Sequence, residues 1–281
     1  MNDVLVVIGV GGMGETIARR QAPGKTTLLA DFNEATKESL ADRMRTDGFD
    51  VVTQKVDVSS RESMADLASR ATDLGSVTQV VHTAGLSPTQ ASLEAVLAVD
   101  LVGVALMLEI FAEVIAPGGA GVVISSSSGY LTPAFDAQQE HLIRSCSAED
   151  LLELPFFSPG VLGSAGVAYG VAKRANRVQV QHASTAWGVR GARVNSISPG
   201  VISTAMGRQE LESESGAFMR GMVEKSGTGR LGTPSDIADG ATFLLGPQAS
   251  FITGIDLLID GGSVAAVLTG LVPTVGLPLF D

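Results

Sequence analysis

A short apolar strand that runs into a glycine turn and then into a helix restricts this chain to few folds. Residues 4–8 are apolar, Gly9-Val10-Gly11-Gly12-Met13-Gly14 follows, and residues 15–21 have helical character. Glycines at 9, 11 and 14 allow a tight turn, close backbone approach to a pyrophosphate and close helix-to-strand packing, with the helix N-terminus facing the anion. A purely structural glycine turn is the competing reading. Residues 26–30 read as the next strand, and Asp31 ends it, about 20 residues beyond the first glycine. A carboxylate there accepts hydrogen bonds from a ribose diol and repels a 2'-phosphate. Phe32, Asn33 and Glu34 follow without a cation, which argues for NAD. Asp31 can also be read as a helix cap, a role open to Asn33.

The alternation continues along the chain. Strands are expected near residues 3–8, 26–31, 50–56, 77–82, 120–126, 192–198 and 255–259, with helices between them. This predicts an α/β fold, a doubly wound parallel (Rossmann) sheet in one domain over residues 1–281, with ligands at the carboxyl ends of the strands.

Tyr169-Gly170-Val171-Ala172-Lys173 spaces a phenol and an ammonium four residues apart, on one face of a helix. An isolated tyrosine, with a pKa of about 10, is a poor base near neutrality. A cation roughly 4 Å away is worth about 4 kcal/mol at an effective dielectric of about 20, enough to bring the phenol toward working pH. By itself the pair is a common helical coincidence.

Together these segments resemble the short-chain dehydrogenase/reductase family over nearly the whole chain. His82-Thr83-Ala84-Gly85 is similar to the family's Asn-Asn-Ala-Gly turn beside the cofactor, and Asp57-Val58 stands where the family places a carboxylate against the adenine. Ile124-Ser125-Ser126 resembles the segment with the catalytic serine; Ser126 is the better match, with Ser125, Ser127 and Ser128 as alternatives. Residues 195–200, ending Ser198-Pro199-Gly200 and followed by Ile202 and Thr204, resemble the turn that binds the nicotinamide carboxamide. The resemblance implies hydride transfer between NAD(H) and a secondary alcohol or ketone. Tyr169 is then acid/base, Lys173 lowers its pKa and bridges to the ribose, and Ser126 holds the substrate oxygen. Gly9, Gly11, Gly12, Met13, Gly14, Asp31, Phe32, Asp57, Val58, Thr83, Ala84, Gly85, Pro199, Gly200, Ile202 and Thr204 line the cofactor with Tyr169 and Lys173. A catalytically silent NAD(H) sensor or scaffold is the alternative from another class.

Three departures bear on these roles. The glycine turn is one residue shorter than the family's TGxxxGxG. Asp100 replaces the asparagine that helps hold a relay water behind the lysine; its carboxylate either accepts from that water or pairs with Lys173 and weakens the lysine's effect on Tyr169. Residues 130–166 form an insertion, with helices expected over 136–144 and, from a Ser147 capping box, through Leu154. It lies either beside the substrate opening or along the helix the family uses for subunit contact, and it resembles the 3α-hydroxysteroid dehydrogenase/carbonyl reductase branch. Residues 204–229 read as a substrate flap and 263–281 as an apolar tail that packs across a subunit or the substrate mouth; the apolar insertion and flap favour a bulky hydrophobic, hydroxysteroid-like substrate.

Charge and composition exclude other classes. With 19 basic and 30 acidic residues the net charge is -11, which argues against nucleic acid or an anionic membrane as partner. The single Cys146 precludes an internal disulfide, and His82, His141 and His182 lie far apart without a cysteine cluster, so no metal site is expected. Residues 93–116 are long and apolar but carry Glu94, Asp100, Glu109 and Glu113, and are read as a helix buried between the sheet and a partner subunit. No secretion leader precedes the first strand, so a cytoplasmic location is expected. The apolar fourth and fifth helices suggest a homodimer or homotetramer.

Overall fold

The computed structural model describes residues 2–273. In chain order it contains β1 (Asp3–Ile8), α1 (Gly12–Gln21), β2 (Thr26–Asp31), α2 (Glu34–Thr46), β3 (Val51–Lys55), α3 (Arg61–Leu74) and β4 (Ser76–His82). A continuous helix follows, made of α4 (Leu93–Val96), a π turn (Leu97–Val102) and α5 (Gly103–Ala112). Then come β5 (Ile115–Ile124), α6 (Ser128–Leu131), α7 (Ala137–Ser145), α8 (Pro159–Leu162), α9 (Ala165–Val189) and β6 (Arg193–Pro199). The rest is α10 (Ala205–Leu211), α11 (Gly216–Lys225), α12 (Pro234–Leu245), β7 (Asp256–Ile259) and α13 (Ser263–Leu268).

All seven strands pair in parallel in the order β3-β2-β1-β4-β5-β6-β7. The order reverses between β1 and β4, where the crevice of a doubly wound sheet opens. Both faces are covered, which is why the strands read as continuous apolar runs. Val4, Val6, Ile8, Val80 and Val123 pack toward α3, α5 and α9, whereas Leu5, Val7, Val81 and Val122 pack toward α1, α2 and α12. Trp187, fully buried near the end of α9, lies over Gly121, where a Cβ would come within 2.6 Å of its ring, and its indole N–H donates to Leu108 O at 3.0 Å. All seven expected strands are present; β5 begins earlier than expected, at Ile115.

The insertion lies on the helix pair, not on open solvent. Ile143, Ala148, Leu151, Phe157 and Leu162 are buried in the core beneath α5 and α9, with Phe135 and Phe156 packed against it. Arg61 bridges Glu109 of α5 and Glu149 of the insertion, and Ala148 N donates to Glu109 at 3.1 Å. The apolarity of Leu93–Ala112 is therefore accounted for within the chain. Asp136 and Gln139 form a capping box on α7. Ser147 does accept from Asp150 N, but Glu149–Glu153 is a 3-10 turn, cut short by Pro155. Residues 274–281 of the expected tail lie outside the described residues.

Candidate active site

The glycine turn is built by steric demand. Gly9 adopts φ +87°, and a Cβ there would sit 2.4 Å from Ala84 N; one on Gly14 would sit 2.1 Å from Gly9 O. Side chains at these two positions would force β1, α1 and the turn after β4 apart. Around Gly11 a Cβ would meet nothing within 4 Å, because that glycine faces open space at the start of α1. Gly11 is also the N-cap and supplies no side-chain acceptor, so the first N–H groups of α1 are left for an external anion. These are the residues a dinucleotide requires, and the shortened turn retains them.

Asp31 ends β2 beside this turn. Its carboxylate accepts from Val10 N and from Asn33 N, each at 2.8 Å, fixing the glycine turn to the second strand. The cap of α2 is Asn33, whose side chain accepts from Thr36 N, so Asp31 is not needed for that role. Phe32 is exposed at the rim, and Lys55, opposite Asp31 in the β2–β3 register, places Nζ 5.4 Å from its ring centroid. No cation follows Asp31 along the chain; Lys55 arrives through strand pairing.

A cavity of about 1130 Å³ runs from this rim along the carboxyl ends of β1, β2, β4 and β5. Gly9, Gly11, Gly12, Met13, Gly14, Asp31, Phe32, Asp57, Val58, Thr83, Ala84, Gly85, Asp100, Tyr169, Lys173 and Thr204 all line it. Pro199, Gly200 and Ile202, expected to line the cofactor, are not among the lining residues. Pro199 O accepts from Ser127 N, a Cβ on Gly200 would touch Asp260 at 2.7 Å, and Ile202 is buried in the core and bridges to Gly232.

Helix α9 starts where Ser164 accepts from Val167 N and runs for 25 residues, so Tyr169 and Lys173 fall on one face, with Nζ 5.5 Å from the phenol ring centroid. Ser125 is spent on structure, donating to Lys173 O at 2.8 Å. Ser126 Oγ accepts from Ser128 N at 3.2 Å and from Ser128 Oγ at 3.0 Å, and its hydroxyl is among the groups that favour ionisation of Tyr169. Of these two serines, Ser125 and not Ser126 is among the residues lining the cavity.

The environment of Lys173 decides between the two arrangements open to Asp100. Its Nζ lies 2.8 Å from Asp100 Oδ1, with both side chains nearly inaccessible to solvent, and also donates to Ile124 O at 3.3 Å. Asp100 Oδ2 accepts from Leu86 N at 3.0 Å. The π turn sets this arrangement: it turns Asp100 inward, and its carbonyls at Asp100 and Leu101 accept from Asn176 and Gln179 of α9. Of the two arrangements left open for Asp100, the structure takes the direct pair. Burial pushes the Asp100 carboxyl upward, against the pull of Lys173 and the Leu86 N–H. Tyr169 is likewise raised, first by burial and then by Asp100 and Glu210, with Lys173 and Ser126 opposing. Lys173 thus acts on the phenol in the expected direction, but burial and the two carboxylates oppose it.

Two residues beside Tyr169 and Lys173 had no role assigned from the sequence. Glu210 of α10 accepts from Ser87 Oγ at 2.7 Å, joining the flap to the loop after β4, and Gln209 contacts Gln90 alongside. His82 is fully buried next to Lys173, and neither ring nitrogen has a partner among the described residues. Burial, reinforced by the Lys173 charge, drives its pKa down to about 3.

Comparison with known proteins agrees with this geometry. The family model described as short chain dehydrogenase matches residues 2–136, and the one described as Enoyl-(Acyl carrier protein) reductase matches residues 155–264. The chain is 45% identical to the short-chain dehydrogenase/reductase bsc3 of Alternaria brassicicola, over 93% of this chain and 95% of that protein. It is 28% identical to D-threitol dehydrogenase of Mycolicibacterium smegmatis, over 92% and 91% of the two chains. A short-chain type dehydrogenase/reductase from Mycobacterium ulcerans shares the fold, with a TM-score of 0.72 at 24% identity, covering 94% of this chain and 90% of that one. The chain thus belongs to the short-chain dehydrogenase/reductase family, oxidoreductases that act on alcohols and ketones with a nicotinamide cofactor.

Proposed function

We propose that the chain is an NAD(H)-dependent enzyme that interconverts a bulky, largely apolar secondary alcohol, hydroxysteroid-like in size, and its ketone. The observation that carries this reading is the Tyr169–Lys173 face at the wall of a cavity whose far end has a glycine cradle and Asp31. A bound nicotinamide dinucleotide supplies the hydride chemistry. The residues of the chain orient the reactants and handle the proton. The glycine turn and the α1 N-terminus hold the pyrophosphate, and Asp31 receives the adenosine ribose. Asp57 and Val58 flank the adenine. Ser126 donates to the substrate oxygen, and Tyr169 takes the hydroxyl proton in oxidation or gives one in reduction. Lys173, held by Asp100, fixes the phenol and the nicotinamide ribose.

The apolar substrate reading is supported by the flap. Met222 of α11 is buried with Leu131, Val264, Val267 and Val272, with Phe218 against them, and Leu86 and Met206 line the cavity. We further propose a cytosolic homo-oligomer, since Phe251 and Ile255 stand exposed on the approach to edge strand β7. The test is turnover of a panel of cyclic and acyclic alcohols and ketones with NAD(H) and NADP(H). Tyr169→Phe is expected to lower kcat/KM by about 10²- to 10⁴-fold while leaving NADH binding intact. Binding without turnover across the panel would instead make the chain a nucleotide sensor.

A further inference from the structure

We propose that Gln90 and Gln209 form a recognition pair for a second oxygen function on the substrate, so that the chain prefers an alcohol or ketone with a further hydroxyl remote from the reacting carbon over its apolar analogue. The inference rests on the reading above, that the cavity beside Tyr169 takes a secondary alcohol or its ketone. Where the loop after β4 faces the flap, the cavity is lined by Leu86, Gln90, Thr204, Ala205, Met206 and Gln209. Leu86, Ala205 and Met206 offer apolar contact. Thr204 belongs to the cofactor side of the proposed site, and its hydroxyl oxygen caps α10, accepting from Gly207 N at 3.0 Å. Only the two glutamines in this stretch of wall are left to read a polar group. They come from opposite sides and meet, with Gln90 Nε2 donating to Gln209 Oε1.

An amide carries one carbonyl acceptor and N–H donors. The bond between the two side chains uses a donor of Gln90 and the carbonyl of Gln209. The Gln90 carbonyl and the Gln209 N–H groups are left without a partner among the described residues. A hydroxyl both donates and accepts, so one hydroxyl satisfies both amides at once, whereas a hydrocarbon satisfies neither. The pair is braced from behind. Gln90 N donates to Ser87 O at 3.0 Å, closing the turn that carries it. Ser87 is buried and donates through Oγ to Glu210 Oε1 at 2.7 Å, and Glu210 adjoins Gln209 on α10. Loop and flap are thus tied beside the amides, which sets their separation before substrate arrives and lowers the entropy lost on binding. Both glutamines are exposed at the mouth of the cavity. Each hydrogen bond to substrate therefore replaces one to water, so the preference is about tenfold and not the far larger discrimination of a sealed polar site.

Matched substrates test the pair: cyclohexanol against cyclohexanediol, and a steroid mono-ol against the diol with its second hydroxyl on the far ring. In the pair whose length spans the cavity, wild type is expected to favour the diol by about tenfold in kcat/KM, mainly through KM. In Gln209→Leu and in Gln90→Leu the diol-to-mono-ol ratio should fall about tenfold, and the double variant should lower it no further, because the two amides act as one site. Thermal melting checks that each variant folds. A pair that only fastened the flap would lower kcat/KM for both substrates in equal proportion and leave the ratio where it was. That result overturns the proposal, as does a wild-type ratio near unity in both matched sets. Binding of each alcohol to the NADH complex, read by NADH fluorescence, measures the same preference without turnover. Tighter binding of the diol with no turnover of any alcohol supports the pair and sinks the enzymatic reading. Turnover of mono-ol and diol alike keeps that reading and sinks the pair.

Discussion

The buried imidazole of His82 makes the fold sensitive to acid in a way that can be calculated. Its pKa of about 3 in the folded chain compares with an ordinary 6.5, the folded value being depressed because protonation would bury a second cation beside Lys173. Between these values the unfolded chain binds a proton that the native chain does not, so stability falls as pH drops through that window. At pH 7 the effect is negligible. At pH 4 the unfolded state is favoured by about 2.5 pH units of differential protonation, or about 3 kcal/mol at 1.36 kcal/mol per unit. That is a large share of the roughly 5–15 kcal/mol that holds a typical domain together. His82→Asn removes the titrating ring and leaves every other ionisable group in place, so the difference between the two proteins isolates this one group. Denaturant unfolding at pH 7, 5 and 4 should show wild type losing about 3 kcal/mol more than the variant between the extremes. Equal losses in the two proteins would refute the assignment of a neutral, sequestered ring.

Cofactor choice and the glycine turn offer further tests. Asp31→Asn should raise the NADP-to-NAD ratio of kcat/KM by about ten- to a hundredfold, as like-charge repulsion is relieved at a part-exposed site beside Lys55. Adding Lys55→Ala should take back part of that gain, and steady-state kinetics with both cofactors reads the result. Gly9→Ala should destabilise the chain by about 2–5 kcal/mol, from the left-handed backbone and the collision with Ala84, as measured by chemical denaturation.

Much of this could be read along the chain because the signals are local. Strand, glycine turn and helix follow one another at residues 4–21, and Tyr169 and Lys173 need only helical spacing to meet. What escaped was set through space. Whether Asp100 would meet a water or Lys173 depended on how a π turn, invisible to any apolar period, rotated it against α9. Lys55 and Glu210 reach the site from a neighbouring strand and from the flap, far from the motifs in sequence. The insertion's apolar residues announced that they must cover something, but only the assembled sheet shows it to be the α5–α9 pair. That Ser125 donates to a helix carbonyl at Lys173 likewise emerges only in the assembled fold.

The insertion leaves the sheet just after Ser126 and re-enters immediately before the helix that bears Tyr169, and the Arg61 bridge fastens its middle to α3 and α5. Two reactive side chains thus stand at either end of one strapped excursion. Lengthening, trimming or grafting that excursion offers a protein engineer a way to vary the distance and tilt between them while the seven-stranded platform stays untouched.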